Sequence, residues 1–154
     1  MVSPTTICIL QYVSPSALQV CLHLKKIKTM KPFKSVLLVE DDSDDQEFFL
    51  IALQGIANVT LFGVASNGSE AMARLENATV FPDMVFSDIN MPKMNGIEYL
   101  NAMAQNPCTE GIPIVMLTSD RSRMDMAMKL GAKGCIEKTP DNYLLRKKLE
   151  LAIG

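Results

Sequence analysis

Acidic side chains, a hydroxyl and an ammonium stand where the apolar runs of this chain end. Glu40, Asp41 and Asp42 close "SVLLV", and Asp88 closes "MVFS". Thr118, followed by Ser119 and Asp120, closes "IPIVML", and Glu137 and Lys138 close "KGCI". Brought together, the acids repel one another unless a cation sits among them, and hard oxygen ligands favour Mg²⁺. A hydroxyl and an ammonium facing a metal-bound carboxylate are the partners that a phosphoryl group on that carboxylate needs. The ammonium offsets its charge, and the hydroxyl donates to one of its oxygens. Each residue alone also has a plain structural use. Asp41 or Asp42 can precede a helix cap, and Asp88 can form a turn. A lone lysine is usually solvated, and a lone strand threonine is usually structural. The fold decides between the two readings, by bringing these side chains to one place or by scattering them.

From Ser35 the chain alternates short apolar runs with helical patterns. The runs "SVLLVE", "VTLFGVA", "MVFS", "IPIVMLT" and "KGCIE" are mostly contiguous rather than alternating, as in parallel strands covered on both faces. Between them, Ser43 and Gln46 have capping-box spacing ahead of Phe48, Phe49, Ala52, Leu53 and Ile56. Ser69 is expected to cap a second helix burying Ala71, Met72 and Leu75. Ile97, Leu100 and Met103 mark a third helix; Met124, Ala127, Met128 and Leu130 mark a fourth, ended by Gly131. Pro140 suits the first position of a fifth, with Thr139 as its cap and Leu144, Leu145, Leu149 and Ala152 on its face. Five β–α units imply an α/β fold: a doubly wound, five-stranded parallel sheet of the flavodoxin-like kind, strand order 2-1-3-4-5. Ligands of such sheets bind beyond the carboxyl ends of the strands, between the first and the third. Glu40, Asp41 and Asp88 fall there.

The length of 154 residues suits one domain, with residues 31–154 as the folded unit and no second domain expected. A net charge of −2 offers no basic face for tracking phosphates, so direct nucleic-acid binding is not expected. Cys8, Cys21, Cys108 and Cys135 form no CxxC pair, which argues against a zinc knuckle or redox dithiol and for reduced thiols in the cytoplasm. Residues 1–30 read as an unstructured extension with Met30 as the natural start. Their apolar character is broken by Gln11, Pro15, Ser16, Gln19 and His23, so no membrane span is expected, and no basic region opens them as in a signal peptide.

Glu40-Asp41, Asp88 with Met91-Pro92 and Gly96, Thr118, and Lys138 resemble, in order, the receiver domain of two-component response regulators. The resemblance runs from about Ser35 to the last residue. It implies Asp88 as phosphoacceptor, Glu40 and Asp41 as the Mg²⁺-binding acidic pair, and the main-chain carbonyl of Asn90 as a further metal ligand. Asp42 is the extra acid and points elsewhere. The donor it implies is a phosphohistidine on a sensor histidine kinase or histidine phosphotransfer protein. The only histidine here, His23, lies outside the domain. The output is protein contact with a downstream target, or relay of the phosphoryl group to a second histidine, and not turnover of an external substrate.

The chain departs from the family pattern twice. Cys135 stands three positions before the lysine, where receivers usually carry an aromatic switch residue, and Thr139 intervenes between Lys138 and Pro140, where proline usually follows directly. The cis geometry of that bond therefore does not carry over. Asn90, Ser119 and Asp120 fall at the pocket rim, and Asn90 with Asp120 is expected to orient an attacking water and shorten the life of the phosphoryl group. A D-x-D phosphatase needs a second carboxylate two residues after its nucleophile, where this chain has the amide of Asn90. The competing reading is a receiver-like module that binds proteins independently of phosphorylation.

Overall fold

A computed structural model of the chain describes residues 33–154. The expectations for residues 1–30, including the start at Met30 and the placing of His23, lie outside the described residues. The elements follow in the order β1 (Lys34–Val39), α1 (Ser43–Gln54), β2 (Val59–Ala65), α2 (Gly68–Glu76), β3 (Met84–Asp88), α3 (Gly96–Gln105) and β4 (Ile114–Thr118). A single 3₁₀ turn (Arg121–Arg123) leads into α4 (Met124–Lys129), and β5 (Gly134–Glu137) and α5 (Asn142–Ile153) close the fold. The five strands form one parallel sheet in the order β2-β1-β3-β4-β5. The doubly wound architecture and strand order expected from the apolar runs are the ones observed.

The contiguous runs have a direct physical cause. Successive strand side chains point to opposite faces, and helices cover both. Leu37, Val39, Val85 and Met116 face a layer built with Ala71, Leu75, Tyr99, Leu100, Met103 and Ala127 of α2, α3 and α4. Val36, Leu38, Phe86, Val115 and Leu117 face Phe49, Ala52, Leu53, Leu145, Leu149 and Ile153 of α1 and α5. The rings of Phe49 and Phe86 meet at 5.3 Å between centroids, tilted by 56°. No helix among the described residues is long and apolar enough to cross a membrane.

The caps differ from expectation in three places. Asp42, not Ser43, caps α1, its carboxylate accepting from the backbone N–H groups of Asp44 and Asp45. Gln46 does not complete a capping box; its amide donates to the Glu40 carbonyl at 2.7 Å. Asn67, not Ser69, caps α2 by accepting from the Glu70 N–H. Asp141 caps α5, while the Thr139 hydroxyl accepts from the Asp141 N–H one step earlier, leaving Pro140 before the helix. In each case another short acceptor lies one to two residues from the expected cap, and the backbone's exit from the strand selects it. On α4 only Ala127 is buried, and Met128 faces solvent. Gly131 ends this segment with φ +97°, a conformation that suits glycine. No peptide bond among the described residues is cis.

Candidate functional site

Parallel register aligns the strand ends that carry the chemistry. Val39 pairs with Ser87, Asp88 with Leu117, and Thr118 with Glu137, so the residues at or just after these ends share one rim of the sheet. Backbone bonds continue the alignment past the strands: Glu40 N–H donates to the Ala65 carbonyl, Ile89 N–H to Leu117, and Lys138 N–H to Thr118. Lys138 therefore leaves β5 beside Thr118, although α4 and the loops around it separate the two in sequence.

Glu40 is 1% exposed and Asp88 is 5% exposed, depths at which carboxylates are rare without partners. The partner is Lys138. Its Nζ lies 2.8 Å from Glu40 Oε2 and 3.4 Å from Asp88 Oδ1. Asp88 Oδ1 also accepts from the Ile89 N–H at 2.8 Å. Burial pushes the Glu40 carboxyl up to about 7, outweighing the pull of Lys138 in the opposite direction. Burial also raises Asp88, opposed by Lys138 and by the backbone N–H groups of Ile89 and Asn90. For Lys138, burial works against the charged form, but hydrogen bonds to Asp45 and Glu40 outweigh it and hold the ammonium above its ordinary value. The site thus binds one positive charge tightly and keeps an excess of acid around it.

Carboxylate oxygens of Glu40, Asp41 and Asp88 all come within 4.8 Å of one another, with Asp41 at the exposed side. Two buried acids and one exposed acid of all-oxygen character suit a hard divalent cation with open positions for water. Asn90, the second residue of the β3–α3 loop, is exposed between buried Ile89 and Met91. The Asp42 carboxylate, turned away as the cap of α1, takes no part in the cluster, while its backbone N–H donates to Glu40 Oε1 at 3.4 Å.

The loop after Asp88 is held down by glycine. Gly96 donates its N–H to the Ile89 carbonyl at 3.0 Å. A Cβ at this position would lie 2.1 Å from the Asp88 carbonyl oxygen and 2.8 Å from Ile89 Cα, so only a hydrogen fits between α3 and the back of the site. Lys93, two residues past Met91, turns the loop with φ +65°, a left-handed conformation for a residue with a Cβ.

Thr118 is fully buried, and its hydroxyl accepts from the Asp120 N–H at 2.9 Å, so it is tied to its own loop. Ser119 is exposed beside it. Asp120, expected at the rim, caps the 3₁₀ turn: its Oδ1 accepts from the Ser122 hydroxyl at 2.6 Å and the Ser122 N–H at 2.9 Å. Glu137 is taken by Arg121, which donates through Nε at 2.9 Å and Nη2 at 2.7 Å. Cys135 is half-buried, and its Sγ lies 3.7 Å from the Met124 carbonyl of α4.

Sequence spacing does not single out Asp45, yet this residue makes the shortest contact to Lys138, 2.7 Å from Oδ2 to Nζ. Its position in the first turn of the helix that follows the acidic pair is the only sequence signal for it.

Set beside known proteins, residues 36–150 match the model of the response regulator receiver domain. The chain belongs to the response regulator receiver domain family. It is 30% identical over 123 residues to a probable chemotaxis protein CheY of Rhizobium etli, covering 77% of this chain and 92% of that protein. It is 39% identical over 111 residues to a protein-glutamate methylesterase/protein-glutamine glutaminase of Desulfotalea psychrophila, covering 68% of this chain but 30% of that protein. The solved structure of the chemotaxis response regulator CheY4 of Vibrio cholerae superimposes with a TM-score of 0.66 at 30% identity, covering 78% of this chain and 98% of that one. Against the methylesterase, and against a probable cyclic di-GMP phosphodiesterase of Vibrio cholerae of which it covers 25%, the chain spans a third or less of the relative's length. Receiver domains are signalling modules, and in relatives that carry enzymatic activity the receiver is not the catalytic part.

Proposed function

We propose that this chain accepts a phosphoryl group on Asp88 from a phosphohistidine of a partner histidine kinase or phosphotransfer protein, and signals through phosphorylation-dependent protein contact. The observation that carries this reading is the pairing of one ammonium, Lys138, with two buried carboxylates at the ends of β1 and β3. A purely structural ion pair needs one acid per lysine. An acceptor site needs surplus negative charge for a metal and a free carboxylate for the phosphoryl group.

Glu40, Asp41, Asp88 and the Asn90 carbonyl would hold Mg²⁺, which when bound neutralises charge on the incoming phosphoryl oxygens. In the transfer, an Asp88 carboxylate oxygen attacks phosphorus in line. The P–O bond forms as the P–N bond to the donor imidazole breaks, and the electron pair returns to the ring nitrogen. Lys138 moves its third N–H, and then the N–H it gives to Asp45, toward the phosphoryl oxygens. Thr118 exchanges its loop contact for a bond to one of them, drawing the 119–120 backbone inward. That movement biases the surface of α4, β5 and α5, with Cys135 rather than an aromatic ring packed against α4. Asn90 and, once its carboxylate leaves Ser122, Asp120 set the lifetime of the phosphoryl group from the rim, and apolar replacement of both lengthens it.

Incubation with a small acyl-phosphate donor and Mg²⁺, followed by intact-mass measurement, tests the reading. Wild type gains one phosphoryl group and Asp88→Ala gains none. Modification of neither protein favours the phosphorylation-independent binding module.

A further inference from the structure

The Lys138 ammonium has three N–H bonds to give, and the shortest goes to a carboxylate outside the acceptor cluster. Asp45 Oδ2 lies 2.7 Å away and Glu40 Oε2 2.8 Å, whereas Asp88 Oδ1 is at 3.4 Å. Asp45 is held for this contact. Its own N–H donates to the Asp42 carboxylate at 3.0 Å, so the first turn of α1 is clamped directly behind the acidic pair and aims Asp45 across the rim. Lys138 is fixed from the other side by its backbone bond to Thr118. The Asp45 side chain is 47% exposed and that of Lys138 25%, so Asp45 can release the lysine and be solvated by water at little cost.

We propose that Asp45 is a positioning residue that parks Lys138 at the rim and competes with the phosphoryl group for its ammonium. This rests on Asp88 being the acceptor. In the unmodified protein Asp45 draws the ammonium outward, to 3.4 Å from Asp88 while it stays 2.8 Å from Glu40, and so leaves Asp88 open to a divalent cation. When phosphorus approaches Asp88, Lys138 must leave Asp45 for the phosphoryl oxygens, and the broken pair slows the transfer. Once the group is attached, Lys138 stays on it until it is hydrolysed, so Asp45 has no hold on the lifetime.

Removing the carboxylate therefore has two opposite effects. In Asp45→Asn the ammonium settles on Glu40 and Asp88, and Mg²⁺ binding by calorimetry weakens by about threefold, the scale of an exposed ion pair. At saturating Mg²⁺, by contrast, the rate of phosphorylation by a small acyl phosphate rises by about threefold. In that reaction the donor P–O bond breaks, its electron pair leaving with the acyl carboxylate, as the new P–O bond to Asp88 forms. The phosphoryl lifetime after donor removal stays unchanged. Asp44→Asn is the control, since it removes the same charge from the same helix turn; it leaves the phosphorylation rate at the wild-type value. Asp45→Glu restores wild-type behaviour. A general loosening of the α1 turn would lower both Mg²⁺ affinity and rate, and thermal melts of the Asp44 and Asp45 variants would separate.

An Asp45→Asn rate equal to or below that of Asp44→Asn overturns the role of Asp45 while leaving Asp88 as acceptor intact. Failure of the wild type itself to take up phosphoryl groups overturns the acceptor reading, and this inference with it.

Discussion

Glu40→Gln should make the metal-free protein more stable, although it removes one half of an ion pair. Glu40 is 1% exposed, and burial pushes its carboxyl from 4.5 up to about 7 despite the Lys138 ammonium 2.8 Å away. An acid whose folded-state pKa lies above the unfolded value binds more protons folded than unfolded. Its contribution to stability is present below 4.5 and is lost as pH rises to about 7. At about 1.4 kcal/mol per pH unit, the interval from 4.5 to about 7 amounts to about 3 kcal/mol. Glutamine keeps the shape and never ionises. Wild type and variant are then nearly equal near pH 4.5, and the variant leads by up to about 3 kcal/mol at pH 8. The groups held low by hydrogen bonds, Glu70, Asp120 and Glu137, act below their ordinary values of 4.5, 3.8 and 4.5 and do not enter this window. The assay is urea denaturation followed by circular dichroism from pH 5 to 8 with a chelator present, read as the difference between the two proteins. Excess Mg²⁺ at pH 8 should restore the wild type and not the variant, because a bound cation replaces the proton between the acids. A difference independent of pH, or a variant less stable at pH 8, would refute the claim that burial outweighs the ion pair at Glu40.

Three substitutions test the packing that holds the site. Gly96→Ala places a methyl group 2.1 Å from the Asp88 carbonyl oxygen, where backbone must yield, and should cost about 3 kcal/mol or prevent folding, read by the same denaturation assay. Lys93→Gly relieves a left-handed residue at φ +65° and should raise stability by up to about 1 kcal/mol, a net of lost strain and added chain entropy, seen as a higher melting temperature. Tyr99 is fully buried, and its hydroxyl has no hydrogen-bond partner among the described residues. Tyr99→Phe should therefore be neutral or stabilise by about 1 kcal/mol, and a loss of stability would show that the hydroxyl is satisfied.

The sheet was legible because burial on both faces forces contiguous apolar strands, and "SVLLV", "MVFS" and "IPIVMLT" all have that form. The site was legible for a related reason: a charge that ends a buried strand is confined to the rim, and parallel order sends every such charge to the same rim. The meeting of Glu40, Asp88 and Lys138 follows from this rule, and uncharged Thr118 reaches the same rim as the last residue of β4. The caps were not legible, because Asp42 beside Ser43, Asn67 beside Ser69 and Asp141 beside Thr139 offer equivalent acceptors, and only the backbone path chooses between them. Contacts that depend on side-chain reach were hidden as well. Asp45 meets Lys138 across 93 residues, and Arg121 meets Glu137 across 16. Neither pair leaves a trace in local periodicity. Asp120 shows the limit from the other direction, since its place in sequence puts it at the rim while its carboxylate is engaged by Ser122.

The most direct test of the central claim is chemical mapping of the modified residue. The protein is treated with an acyl-phosphate donor and Mg²⁺, trapped with borohydride, which reduces an aspartyl phosphate to homoserine, and digested for peptide mass analysis. Homoserine is expected at Asp88 alone, dependent on donor and on Mg²⁺. Unmodified Asp88, or reduction at Asp41, Asp45 or another carboxylate, would contradict that claim.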